Sequence, residues 1–443
     1  MSIIAQSSIL RSKLQKIFSK ISHSEIYTIN YLFKSERIIF PGYQKYLKYL
    51  SLLSLLSVCL IAFNEIFVFS TLVLSVLNIF FHYRNKRYIR YFINPLVELS
   101  KVYAAANKLS QIGELTKAPT QIKNFEYINR RLKLFISDAL MTSDVGAIIW
   151  FPIEVLKIVL LLEPTMLYQL ANKLKLQRDI LSSLIEYVGK IDCAYSVASL
   201  RESLHQKGLK YCLQAEGEGG FNFKGIYHSL VENCVANDLE LGEKSMILTG
   251  SNMSGKSTFI KAVGLNIISA AAINTCFAEY WHAPKCYLDS VLDVSDNILS
   301  GESYYLSETL RIKNILEKCA ELGKLENEQM NHQLVLIDEI FKGTNTPERV
   351  AIARAVLSYL SSLKNVTVIA STHDIELAHL LKEQLLSFHF SESIYDDDLH
   401  FEYKLLSGTE YTRNAISILK LCDYPADIIA ASSAWVSGHA ENQ

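Results

Sequence analysis

Nine consecutive residues carry the first chemistry in this chain. Gly250, Ser251, Asn252, Met253, Ser254, Gly255, Lys256, Ser257 and Thr258 fit the phosphate-loop pattern G-x-x-x-x-G-K-[ST] without a mismatch. The glycines let successive backbone N–H groups curl round a phosphate at a helix N-terminus, where the helix dipole also favours negative charge. Lys256 is the residue to reach the β- and γ-phosphates of ATP, and the Ser257 hydroxyl the one to ligate Mg²⁺. A second cluster closes an apolar run, because Leu334-Val335-Leu336-Ile337 is followed by Asp338 and Glu339. In this Walker B arrangement Asp338 would hold Mg²⁺ through water, and Glu339 could orient and deprotonate an attacking water. Each signal alone has a blander reading, a glycine-rich turn or a solvated strand end. Together they predict a Mg·ATP site.

Such residues need a strand, a loop and a helix to hold them. Met246-Ile247-Leu248-Thr249 is fit for a buried strand, and a helix-like pattern opens at Phe259 and runs to Ala272. From the loop Glu216-Gly217-Glu218-Gly219-Gly220 onward, strand-like segments at 245–249, 333–337, 366–371 and 399–405 alternate with helical ones. This predicts an α/β domain over residues 216–443, with helices on both faces of a mostly parallel sheet.

Further motifs accompany these two. Ser300-Gly301-Glu302-Ser303-Tyr304-Tyr305 lies upstream of Walker B, Ile340-Phe341-Lys342-Gly343-Thr344-Asn345-Thr346 continues it, and Ser371-Thr372-His373 closes a hydrophobic strand. In order and spacing the set closely resembles the ATPase domain of the MutS family of DNA mismatch-repair proteins, over about residues 220–433. The resemblance implies an ABC-like P-loop fold and a homodimer through the ATPase domain, each site being completed by the partner subunit. It implies that Ser303 reaches the γ-phosphate bound by the other subunit, with Gly301 permitting close approach, and that residues 343–346 run along the dimer interface. His373 matches the switch histidine that senses the γ-phosphate. The implied catalytic set is Lys256, Asp338, Glu339 and His373, with Mg²⁺ on Ser257 and Asp338. Residues 414–431 resemble the closing helical dimerisation element. DNA enters as a partner by family analogy alone. Mismatch-recognising members carry an N-terminal domain with a Phe-x-Glu motif and long clamp helices, and the residues upstream of the ATPase domain are too few for both. The one upstream Phe-x-Glu, Phe63-Asn64-Glu65, falls in the turn of an apolar hairpin. The whole chain therefore resembles the short, membrane-hairpin branch of MutS-related ATPases.

The N-terminal half supplies that hairpin. Residues 1–45 form a basic segment in which Ile9-Leu10, Leu14, Ile17-Phe18 and Ile21 recur at helical spacing, either an amphipathic helix on an anionic membrane surface or an ordinary docked helix. Residues 46–83 hold two uncharged runs on either side of Asn64-Glu65, each near the length that crosses a hydrocarbon core of about 30 Å. Lys45, Lys48, Arg84, Lys86, Arg87 and Arg90 flank the outer ends, so the positive-inside rule puts both ends in the cytoplasm. The competing reading is a buried hairpin in a soluble core, which should show one polar face; Ser51, Ser54 and Ser57 are its only hint. Residues 84–215 read as a helical connector. Its apolar run at 145–162 contains Pro152, Glu154 and Lys157 and reads as a buried or interfacial helix.

At 443 residues, half of them hydrophobic, and a net charge of −1, the chain has room for two or three domains and no basic surplus that would advertise nucleic acid. The eight cysteines form no C-x-x-C pair and read as reduced core residues. No signal-peptide pattern opens the chain. The expected location is the cytoplasmic side of the plasma (inner) membrane, with a cytoplasmic protein as the alternative.

Overall fold

A computed structural model describes residues 2–21, 26–29, 41–116, 118–119, 122, 126, 129–130, 155–214, 219–251, 253–292, 304–322, 332–395, 398–409, 416, 419–420, 422 and 424–440, with 87–93, 175, 393–395, 398–399 and 436–440 described by backbone alone. Contacts divide the chain into two units, Met1–Ser203 and Leu204–Gln443.

The first unit is helical: α1 (Ser2–Gln6), α2 (Ser8–Phe18), α3 (Leu47–Leu60), α4 (Phe67–Ser110), α5 (Leu162–Leu176) and α6 (Arg178–Gln206), which runs on into the second unit. Ser7 caps α2, its hydroxyl accepting from the Leu10 N–H at 3.2 Å. Leu10, Leu14 and Phe18, one helical face, are buried in a core with Leu99 and Val102 of α4, Leu167 and Leu170 of α5, and Leu181 and Leu184 of α6. The helix α2 is thus docked through that face, while Ile9 on its other side stays exposed.

The hairpin of α3 and α4 is built inside out. Its polar side chains point inward: the Ser57 hydroxyl lies 2.8 Å from both the Ser70 and Thr71 hydroxyls, and Asn78 Nδ2 donates to Ser54 Oγ and the Val159 carbonyl, each at 2.8 Å. Thr71, Asn78, His82 and Asn85 recur at i, i+7, i+11 and i+14, a single stripe on α4. Asn78, His82 and Asn85 are buried, whereas Leu52, Phe69 and Leu72 are 64, 77 and 62 % exposed. A hairpin in water would show the reverse. Residues 67–86 are long and apolar enough to cross a membrane; so is the helix Lys256–Ile273, which is largely buried in the second unit. At 14 residues α3 falls short of that length.

Two boundaries differ from expectation. α4 does not end near Tyr83 but continues through the basic stretch to Ser110, with Pro95 inside it. Residues 84–90 are rich in Arg and Lys and contain no glycine, so nothing stops the helix, and hairpin and connector share one rod. Of the run 145–162 only residues from Val155 on are described; Val155 and Leu156 are exposed, and Leu161 takes a left-handed turn (φ 44°) before α5. The cysteines are free, but only Cys276 and Cys319 are buried, and Cys59, Cys193 and Cys422 are exposed, so the core reading holds for a minority.

The second unit opens with β1 (Phe221–Ile226), β2 (Asn237–Gly242) and β3 (Ser245–Thr249), followed by α7 (Lys256–Ile273), β4 (Tyr280–His282), β5 (Cys286–Val291) and α8 (Tyr304–Leu322). Then come β6 (His332–Ile337), α9 (Thr346–Ser362), β7 (Val366–Ser371), α10 (Ile375–Leu380), β8 (Leu385–Tyr395), β9 (Asp398–Ser407) and α11 (Ala426–Ala440). A six-stranded sheet runs β5-β6-β7-β3-β8-β9, parallel except for the β8–β9 hairpin, and β2-β1-β4 form a small antiparallel sheet. β3 and β7 are buried at every residue, as strands covered on both faces must be. Met246 and Leu248 pack with Phe259, Ile260 and Val263 of α7, while Ile247 turns to the opposite core with Ile312 of α8 and Leu357 of α9.

Candidate nucleotide site

Because β6, β7 and β3 are parallel neighbours, whatever follows them collects along one edge of the sheet. The phosphate loop follows Thr249, Asp338-Glu339 follow Ile337, and Thr372-His373 follow Ser371. Strand order alone therefore brings together three sequence-distant motifs.

The loop is shaped by its glycines. Gly250 has φ +139°, and a Cβ there would lie 2.8 Å from the Phe390 carbonyl and 2.9 Å from Ser254 Oγ; Gly255 has φ +109°. Lys256 begins α7 with its side chain buried, and its ammonium donates to the Gly250 carbonyl at 2.7 Å and the Ser251 carbonyl at 2.5 Å. Burial pushes this lysine down to about 8, against the opposing pull of Glu339, Asp338 and Glu392. The Ser251 hydroxyl donates to the buried carboxylate of Glu392 on β8.

At the Walker B end, one hydroxyl organises two acids. Ser371 Oγ donates to Asp338 Oδ1 at 2.5 Å and accepts from the Glu339 N–H at 2.9 Å. Glu339 and Phe341 have φ of 56° and 57°, a costly region for side chains with a Cβ. The strain is held from two sides, by Ser371 on the Glu339 N–H and by the buried Glu308 of α8, which accepts from the Phe341 N–H at 2.6 Å. Beyond them Asn345 caps α9, accepting from the Glu348 N–H at 3.1 Å while its own Nδ2 donates to Glu348 Oε2 at 2.8 Å.

Glu339 is engaged at both oxygens. His373 Nε2 lies 2.5 Å from Oε1, and Lys342 pairs with Oε2. Burial raises the Glu339 carboxyl, but the bonds from Lys342 and His373 outweigh it and the net shift is downward. The other His373 nitrogen, Nδ1, is 3.2 Å from the Gly250 carbonyl, so the ring ties Walker B to the phosphate loop. Lys256, Glu339 and His373 are all satisfied by protein groups, and phosphate oxygens would have to replace some of those bonds.

A cavity of about 560 Å³ adjoins these groups. Its lining is mixed: Ser251, Lys256, Ser257, Thr258 and Glu339 contribute polar groups, as do His228, Glu232, Asn233 and Asn237, while Tyr227, Val231, Val235, Phe390 and Tyr403 contribute apolar and aromatic surface. Such a mixed lining is compatible with a phosphorylated ligand that carries a flat, apolar-faced ring.

Of the expected site residues, Gly250, Ser251, Met253, Ser254, Gly255, Lys256, Ser257, Thr258, Asp338, Glu339 and His373 share this sheet edge or its loop, whereas Asn252 and Ser303 lie outside the described residues. Ser371, Glu308, Lys342 and Glu392 were not singled out from the sequence. Ser371 stands beside His373 in one motif and Lys342 follows Glu339 in another, so their places offered a signal; Glu308 and Glu392 carried no local one. Among the described residues no cluster of three or more His, Cys, Asp and Glu side chains could hold a metal. One hydroxyl, Ser257, and one carboxylate, Asp338, are hard oxygen donors of the kind Mg²⁺ takes when phosphates and water complete its shell.

Residues 246–438 match the family model described as MutS domain V. Similar curated proteins carry the name DNA mismatch repair protein MutS. That of Petrotoga mobilis is 32 % identical over 219 residues, 48 % of this chain and 25 % of the relative. That of Caldanaerobacter subterraneus is 28 % identical over 280 residues (60 and 30 %), and that of Fusobacterium nucleatum 27 % over 334 residues (72 and 35 %). The chain thus spans between a quarter and about a third of the length of these relatives.

Proposed function

The chain belongs to the MutS family, and from that premise we propose a dimeric, ABC-like, Mg²⁺-dependent ATPase that works as a conformational switch tethered by its hairpin to the cytoplasmic face of the plasma (inner) membrane. The observation that carries the nucleotide reading is the meeting of Lys256, Glu339 and His373 at one edge of the sheet, beside a cavity lined by both polar and aromatic side chains. Incoming phosphates would take the Lys256 ammonium from the Gly250 and Ser251 carbonyls, and the cation would neutralise charge on the phosphoryl group being transferred. Ser257 and Asp338 would hold a Mg²⁺ ion, which supplies further charge neutralisation. Glu339, ionised and oriented by Ser371 through its own N–H, is the base for the attacking water once His373 or Lys342 releases one of its oxygens. His373 would then be free to bond the γ-phosphate. The test is nucleotide binding and Mg²⁺-dependent phosphate release by the purified full chain. Absence of binding in the presence of Mg²⁺ would overturn the reading.

The tether is supported by the inward polar stripe and the exposed leucines and phenylalanines of α3 and α4. The dimer is supported by the family and by the exposed Ile428 and Trp435 of α11. A second reading, a DNA-binding repair ATPase, is favoured by the name of the relatives. Titration with homoduplex, mismatched and branched DNA, with and without ATP at fixed salt, decides whether it applies.

A further inference from the structure

One end of the α3–α4 hairpin alternates cations with aromatic rings. Lys45 stands 4.8 Å from the Tyr46 ring centre, Lys48 4.7 Å from Tyr49, and Lys86 5.2 Å from Tyr83. The Arg84 guanidinium lies 5.5 Å from Tyr43 and 5.7 Å from Phe80. A hydrogen bond of 2.6 Å from Gln44 Nε2 to Asn85 Oδ1 pins the two segments side by side. The rings of Tyr46, Tyr49 and Tyr83 are exposed, as are Lys45, Lys48 and Arg84.

The charge pattern is one-sided. Between Pro41 and Lys86 all the basic residues stand at this end, and the one acid, Glu65, is in the opposite turn. None of the four cations has a carboxylate partner among the described residues. Directly above them begins the exposed apolar surface that includes Leu52, Leu56, Leu72, Val76 and Phe80. Among the described residues no carboxylate supplies their counter-charge at the depth where apolar surface gives way to tyrosine.

We propose that this ring of Lys45, Lys48, Arg84 and Lys86 with its tyrosines binds the headgroups of anionic phospholipids; the proposal rests on the membrane reading of the hairpin. Tyrosine sits at the level of lipid headgroups because its ring is apolar and its hydroxyl is wet. A cation lying against such a ring keeps N–H donors free for phosphodiester oxygens. An anionic headgroup leaves the phosphate charge uncompensated, whereas a choline headgroup brings its own cation. Each Lys or Arg at an anionic surface is worth roughly a fivefold preference at low salt.

The full chain would be reconstituted in nanodiscs holding equal amounts of phosphatidylcholine and phosphatidylglycerol, released in mild detergent, and its retained lipids identified by native mass spectrometry. Phosphatidylglycerol should be retained several-fold over phosphatidylcholine. The variant combining Lys45→Gln, Lys48→Gln, Arg84→Gln and Lys86→Gln should lose that preference, while a control carrying Lys285→Gln, Lys313→Gln, Lys364→Gln and Lys382→Gln, all exposed in the other unit, should keep it. Should the fourfold variant fail to insert, wild type at rising ionic strength gives the same reading, because screening shrinks from about 10 Å at 0.1 M salt to about 3 Å at 1 M. Equal retention of both lipids by wild type, or a preference indifferent to both the substitutions and salt, overturns the headgroup site while leaving the tether standing. A wild-type chain that stays soluble without lipid and enters no nanodisc overturns the tether and the site with it.

Discussion

Two side chains are central to the candidate nucleotide site, and each is held by the protein itself. Lys256, pushed down to about 8 by burial, is a cation below that pH and increasingly neutral above it. Nucleotide binding needs the charged form, so affinity should be level up to about pH 8 and then weaken by up to about tenfold per pH unit. Isothermal titration between pH 6.5 and 9.5 reads this directly; a profile flat to pH 9.5 would mean that the lysine stays charged or does not meet phosphate. Lys256→Ala should nearly abolish binding at every pH. Glu339→Gln keeps the shape of the side chain and removes the base, so ATP should still bind while hydrolysis falls roughly a hundredfold or more. Unchanged turnover in that variant would remove Glu339 from the reaction. Ser371→Ala takes away the one hydroxyl joining Asp338 to the Glu339 N–H. Turnover should fall about tenfold or more with little loss of nucleotide affinity, as expected when orientation is lost and the base retained.

At the scale of elements, the legible parts were those whose sequence pattern coincides with a single physical demand. β3 and β7 begin and end at the residues expected from their unbroken apolar runs. The phosphate loop announces itself because only glycine accepts the backbone at Gly250 and Gly255. β1 and β2 gave weaker signals, since Asn222, Gly225 and Asn237 interrupt short, half-buried strands. Glu308 and Glu392 could not be assigned, because what they do depends on a partner 33 or 141 residues away. The hairpin is legible from its length and lack of charge, but its more telling feature is the stripe of Thr71, Asn78, His82 and Asn85, of which Thr71 and Asn78 meet the serines of α3. That stripe makes a sharp experiment possible. Leu53 lies near the middle of α3 and Val76 near the middle of the apolar stretch 67–86, and both are about half exposed. In a soluble protein, arginine at both would be close to neutral. In a bilayer each charge costs roughly 2.5 to 3.5 kcal/mol on insertion scales, so Leu53→Arg with Val76→Arg should move the protein from the membrane to the soluble fraction. Wild type recovered as soluble without detergent would mean that the apolar face has another cover.

At the scale of the whole molecule, the proposed function makes each site depend on a second subunit. Glu339 is locked by His373 and Lys342, and the family resemblance assigns Ser303 to the phosphate of the opposite subunit. Glu308, one helical turn beyond Tyr304 in α8, holds the strained turn at Phe341. Movement of α8 on dimer closure would therefore reach the Walker B turn through a hydrogen bond of 2.6 Å. Hydrolysis should accordingly depend on protein concentration in the range where dimers form. Complementation in trans gives the decisive form of this expectation. A Lys256→Ala chain cannot hold phosphate and a Ser303→Ala chain cannot complete its neighbour's site, so each homodimer should be inactive. In the mixed dimer, the nucleotide bound by the Ser303→Ala chain meets the intact Ser303 of its partner subunit, and one site of the two is whole. Mixing equal amounts should restore about a quarter of wild-type turnover, since half the dimers are mixed and each has one working site of two, if the sites act independently. Mixed dimers that form, as judged by native mass spectrometry, and yet hydrolyse nothing would place Ser303 in its own subunit's site or outside the reaction.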